Sequence, residues 1–360
     1  MNIYTRPYGK IRNGETANLY TLMNDNGVTV EITDFGGTLV SLKAPDRNGK
    51  ILDVVLGYDS VADYEAADGY LGALVGRYAN RIAKAGFELD GETYTLYAND
   101  GPNTLHGGLK SYSYVIWKAE TAVTADGAVL TLTHTSPDGD EGFPGNLEIK
   151  VTYTLNNEGA LSIRYEAETD QATPINLTNH AYFNLGGNAS GTVFGHSLWL
   201  DAESYVAGDK ELIPVAIKPV DGTPFDFRQA KAIGRDFFAD CADLRIAGGY
   251  DHCFNFTDWK SCKSGGELKL RAVAYEPITG RKMEMFTNQP CVQFYSANFL
   301  KNPCFPLRGG NHQTTQTGFC LETQVMPDSV HHQGDADFTA CILRPGEKYD
   351  YTTIYKFSAE

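Results

Sequence analysis

The 360-residue sequence contains no run of about eighteen consecutive apolar residues, which excludes a membrane-spanning helix. Its opening, MNIYTRPYGKIRNGE, lacks the apolar core of a secretory signal, so a cytoplasmic protein with no membrane contact is expected. Nucleotide signatures are missing as well: neither GxGxxG nor GxxxxGK[ST] occurs, and with them goes the glycine-rich phosphate cradle. The absence of GxSxG removes the usual nucleophile elbow. No HxH, HExxH or Cys/His cluster is present, so no metal is expected. The seven cysteines, Cys241, Cys253, Cys262, Cys291, Cys304, Cys320 and Cys341, are odd in number and form no CxxC pair. That pattern predicts reduced thiols rather than a disulfide framework. Positive charge is also in short supply. Thirty Lys and Arg face 45 Asp and Glu, a net charge of -15. Such a surface repels nucleic-acid phosphates and anionic membranes and is indifferent to a neutral substrate.

Helical periodicity is as scarce as basic charge. Only 58–66 and 227–238 offer weak helical patterns, both short. What is present is alternation with a period of two. Val28, Val30 and Ile32 alternate with Thr29, Glu31 and Thr33, and Leu147, Ile149, Val151 and Tyr153 with Glu148, Lys150 and Thr152. The turn NNEG at 156–159 leads into Leu161, Ile163 and Tyr165, which predicts a β-hairpin. GFELDGETYTLY at 86–97 predicts another with Asp90-Gly91 at its tip, and 267–276 with 282–287 a third joined by PITG. Thirty-seven glycines and fifteen prolines punctuate these runs, and no linker, repeat or charge block divides the chain. The expected architecture is all-β: one large antiparallel sandwich domain over 1–360, with few short helices and long polar loops.

Several segments carry residues suited to chemistry. GRYANR at 76–81 and NDGPNTLHGG at 99–108 bracket the 86–97 hairpin, so Arg81 and His106 are expected at one end of the same sheet. Loops rich in Asn, Asp and Gly suit sugar recognition, since hydroxyls need donors and acceptors at fixed angles. Equally, Asn99, Asp100 and Asn103 are ordinary turn formers. In LTNHAYFNLGG, His180 and Tyr182 would share one face of a strand. The ring is either structural or a proton donor. Asp251 in GGYDHCF either caps a turn or accepts hydrogen bonds from a ligand, and Gln293 in CVQFYSAN is a core amide or a hydroxyl reader. Glu322 in GFCLETQVMPD shares a face with Cys320 and Gln324. Toward a pocket it would be desolvated and more basic, and toward solvent it would be inert. His331 and His332 are adjacent, point opposite ways in an extended segment, and make a poor chelating pair.

Taken together and in order, GRYANRIAKAGFELDGETYTL, NDGPNTLHGG, LTNHAYFNLGG, GYDHCF and GFCLETQVMPD resemble the aldose 1-epimerases, or galactose mutarotases, from near residue 10 to the final RPGEKYDYTTIYKF. The resemblance implies a large β-sandwich enzyme that interconverts the α and β anomers of free hexoses such as galactose and glucose, without a cofactor. It implies His180 as catalytic acid and Glu322 as base. Asn80, Arg81, His106, Tyr182, Asp251 and Gln293 fall on substrate-binding positions. The departures, SYSYVIW after LHGG and VMPDSVHH near the end, leave the preferred sugar open. The expected partner is a small sugar, with the chain a monomer or weak dimer. Rival readings are a non-catalytic sugar binder on the same sandwich, an epimerase of phosphorylated sugars, for which basic residues are too few, and a protein with a decayed site.

Overall fold

A computed structural model describes all 360 residues. The chain is dominated by antiparallel strands, with two six-residue helices, Val61–Ala66 and Ala242–Ala247. The largest sheet has nine strands, running Lys118–Val123, Ala128–Ser136, Leu147–Leu155, Ala160–Thr169, Tyr349–Ala359, Arg281–Thr287, Lys269–Tyr275, Ser197–Leu200 and Lys231–Ala232 from edge to edge. A five-stranded meander, Asn2–Lys10 to Ile51–Asp53, uses the N-terminal chain. A second five-stranded sheet runs Pro214–Pro219, Ala202–Gly208, Asp251–Phe256, Cys291–Tyr295 and Cys320–Gln324. One buried core joins all three through residues such as Leu22 and Val30, Leu130 and Val151, Phe254 and Phe294. This is the predicted sandwich.

Local chemistry explains the element boundaries. The 86–97 hairpin forms with Gly86–Leu89 against Glu92–Thr95, and Asp90 and Gly91 both take positive φ (53° and 88°). That is the turn geometry whose twist matches the flanking strands, and Asp-Gly is among its preferred pairs. The 147–155 and 160–169 strands pair as expected around the NNEG turn, as do 269–275 and 281–287 around PITG. The first helix begins where Ser60 accepts the backbone N–H of Asp63 (3.2 Å), a side-chain N-cap. The helix expected at 227–238 does not form. Phe225 and Phe227 are drawn into the aromatic core, Lys231 pairs with Leu198 at a sheet edge, and its Nζ bonds Asp236 Oδ2 and Pro224 O (both 2.7 Å). Tertiary packing overrides a weak pattern there. The second helix lies further on, at Ala242–Ala247, and ends on Gly248 in the left-handed conformation (φ 69°). All seven cysteines are free, as predicted.

Candidate active site

Three short structural devices bring the motif residues together. First, Arg81–Ile82 pairs with Thr104–Leu105, with Leu105 opposite Arg81, so the two bracketing loops are tied side by side. Asn99 fixes the loop that follows. Its amide donates to Leu105 O (2.9 Å) and Gly108 O (3.0 Å), and its Oδ1 accepts Leu105 N (2.7 Å). His106 then turns inward with φ 53°. Gly107 follows with φ 89°, where an added Cβ would collide with the carbonyl of Gly76, so only glycine fits. Second, Thr178–Asn179 pairs with Leu74–Val75. His180 is clamped on both sides, its N–H donating to Ala73 O (2.9 Å) and its carbonyl accepting Gly72 N (2.8 Å). Third, the adjacent strands 251–256, 291–295 and 320–324 present Asp251, Gln293 and Glu322, with Gln293 directly opposite Glu322.

These devices wall a cavity of about 990 Å³. All eight residues singled out from the sequence line it: Asn80, Arg81, His106, His180, Tyr182, Asp251, Gln293 and Glu322. His180 and Tyr182 stand outside the strand expected for them, since the strand stops at Asn179, yet their rings stack (centroids 5.0 Å, 19°) and both face the cavity. Tyr182 is anchored by its hydroxyl, which donates to Gly69 O (2.9 Å). Glu322 is 2% exposed, which decides the question its strand pattern leaves open: it faces the pocket. Tyr70 and Tyr295, not singled out from the sequence, complete the aromatic wall around His180 at 6.1 and 6.2 Å. A GYLG pattern just before GRYANR was the available trace of Tyr70.

The polar geometry sorts the groups by role. His180 Nε2 lies 3.7 Å from Glu322 Oε2, and that carboxylate oxygen is buried without a hydrogen-bond partner. Gln293 Nε2 donates to Asp251 Oδ1 (2.7 Å), while Gln293 Oε1 is likewise buried and unpartnered. Both acceptors lie at the cavity wall, where a hydroxyl donor could reach them. Burial sets the basicities. It drops His180 to about 4, and it lowers His106 further below the ordinary histidine range, helped by His180 and Arg81. It raises Glu322 well above the carboxylate range. The negative charge of Asp251 adds to that rise, and Arg81 opposes it. Asp251 rises for the same reason, countered by Arg81 and Gln293.

His106, His180 and Glu322 bring their donor atoms within 4.8 Å of one another, a spacing a metal ion could bridge. The surroundings of His106 do not suit one. Its Nδ1 accepts the N–H of Asn80 (3.2 Å), so the neutral ring carries its proton on Nε2, and binding metal there would set Nδ1–H against another donor. Metal-bound histidines instead give their second N–H to an acceptor. The arrangement is that of a hydrogen-bond donor aimed into the cavity. His331 and His332 stand apart, on a helical turn (Ser329–His332) rather than an extended segment. His331 bonds Asp328 (2.6 Å) and His332 stacks on Phe338 (3.6 Å).

Comparison with known proteins agrees with this picture. The family profile described as aldose 1-epimerase matches residues 18–356. The chain is 41% identical to galactose mutarotase of Homo sapiens over 349 residues, covering 96% of this chain and 95% of the relative. It is 39% identical to aldose 1-epimerase of Escherichia coli (strain K12), covering 96% and 97%. Among solved structures, galactose 1-epimerase from Lactobacillus acidophilus NCFM superposes with a TM-score of 0.84 at 28% identity, covering 99% of both chains. With the ordered motifs gathered in one cavity and the match running nearly end to end, the chain belongs to the aldose 1-epimerase family.

Proposed function

We propose that the whole chain, 1–360, acts as one catalytic domain that interconverts the α and β anomers of free hexoses, D-galactose and D-glucose, with Glu322 as base and His180 as acid. The observation that carries this reading is the placement of Glu322 Oε2 and His180 Nε2, 3.7 Å apart, at the wall of a cavity with open hydrogen-bond acceptors. Glu322 takes the proton of the C1 hydroxyl as His180 delivers one to the ring oxygen. The C1–O5 bond breaks and an open-chain aldehyde forms. Rotation about C1–C2 presents the other carbonyl face, O5 attacks it, and both protons return. One proton enters the pair as another leaves, so its net charge is unchanged and no electrons are transferred. The acid is the His180 imidazolium and the base the Glu322 carboxylate: burial makes each more reactive while making that charged form the minor one, and the 3.7 Å contact between opposite charges favours the working pair.

The remaining residues hold the sugar. Arg81, Asp251 and Gln293 match hydroxyls, Asn80 shapes the loop by accepting Arg81 N at its Oδ1 (2.8 Å), and Tyr182 supports the imidazole face. His106, with Nε2–H directed inward, stabilises charge that grows on the ring oxygen. Polarimetry on freshly dissolved α-D-galactose and α-D-glucose tests the reading. Wild-type protein accelerates the decay of optical rotation, and the faster sugar names the preferred substrate. Decay at the uncatalysed rate, with sugar binding intact by titration, would turn the protein into a binder.

A further inference from the structure

Arg81 is the one arginine of the cavity wall, and how its guanidinium is held bears directly on what the pocket reads. Its Nε donates to Asp100 Oδ2 at 2.8 Å, the sole side-chain partner the guanidinium has, so both Nη groups keep their donors for a ligand. The guanidinium is a rigid planar fork of five N–H donors, so holding Nε restricts where the two Nη ends point. Asp100 is itself rigidly placed. Asp100 and Asn103 exchange backbone hydrogen bonds (3.1 and 3.0 Å) across Gly101, which has φ 59°. Asn103 Oδ1 accepts Lys84 N (2.9 Å), and its amide donates to Glu211 Oε2 (3.3 Å), another residue of the cavity wall. The loop that aims His106 into the cavity thus also carries the carboxylate that aims Arg81.

Resting on the sugar-holding role proposed for Arg81, we propose that Asp100 is a positioning residue for substrate: it orients the Arg81 fork toward sugar hydroxyls and acts through Arg81 rather than on the sugar. Preorganised positioning stabilises bound substrate and transition state alike, so its loss appears mainly in KM. A double-mutant cycle with Asp100→Ala and Arg81→Ala, read by initial rates on α-D-galactose, tests this. Asp100→Ala is expected to raise KM about tenfold with kcat within about twofold, and to add nothing beyond about twofold in the Arg81→Ala background. Asp100→Glu, which keeps the charge, restores part of the KM. Thermal melting checks that each variant is folded, and galactose titration by calorimetry gives the same cycle in binding constants. An unchanged KM in folded Asp100→Ala overturns the proposal, and so does a further loss in the Arg81→Ala background, which would mean that Asp100 touches the sugar itself. If Arg81→Ala leaves KM unchanged, the sugar-holding role of Arg81 falls instead.

Discussion

His180 and His196 lie on one stretch of chain, both are almost fully buried, and burial holds both to about 4. Yet they stand in different regions. His196 sits in the core beside Phe319 (5.9 Å), and its Nε2 accepts the N–H of Leu185 (3.0 Å). Its outward-reaching nitrogen is spent on the backbone. His180 faces the cavity, its Nε2 directed at an unpartnered carboxylate oxygen. His252 repeats the first pattern: also held to about 4, it accepts Asp251 N at Nδ1 (3.1 Å) and packs on Phe225. The lesson is that low basicity reports burial, not function. What separates the histidines proposed to work from the structural ones is whether a ring nitrogen that meets the cavity is left free by the protein: His180 and His106 line the cavity and His196 does not.

That comparison can be sharpened at its active end first. Glu322→Gln keeps the volume and removes the proposed base, and it is expected to lower kcat by about 10²–10⁴-fold in polarimetric assays. The next effect is on pH. As the proposed base, Glu322 works ionised, and its basicity is raised, so activity is expected to fall on acidification at a pH above the ordinary carboxylate range. Arg81 opposes that rise, so Arg81→Met should move the acid limb of kcat/KM to higher pH still. A limb in the ordinary carboxylate range for wild type would break the link between burial and basicity. A smaller effect concerns stability and treats the three histidines alike. From about pH 6.5 down to 4 the unfolded chain takes up protons on these rings and the folded chain does not. Stability is full above pH 6.5 and is lost as the pH falls toward 4, by up to about 1.4 kcal/mol per unit for each ring. Glu322 contributes with the opposite sign. Denaturant titrations across this range should show a shallower slope for His252→Asn than for wild type.

Much of this was legible in the sequence, and the exceptions have physical causes. The hairpins were visible because Asp90-Gly91 and NNEG are turn chemistry flanked by strict alternation. His106 and Arg81 were placed together because two polar loops flank one hairpin. Glu322 was ambiguous because its strand is covered on both sides: all five residues of Cys320–Gln324 are buried, so alternation could not say which face meets the pocket. Asp100 read as a turn former, and it is one. Nothing in the local pattern separates a turn aspartate from one whose carboxylate also meets an arginine nineteen residues earlier in the chain. The helix at 227–238 failed because long-range aromatic packing outweighs a short periodic pattern.

The most direct test sets the two histidines side by side. His180→Asn and His196→Asn are purified, checked for folding, and compared by polarimetry on α-D-galactose. His180→Asn is expected to lose about 10²–10⁴-fold in kcat with its stability little changed. His196→Asn should keep kcat within about threefold but lose about 1–3 kcal/mol of stability, since it leaves the buried N–H of Leu185 without its acceptor. A folded His180→Asn that turns over like wild type would contradict the central claim that this ring is the proton donor.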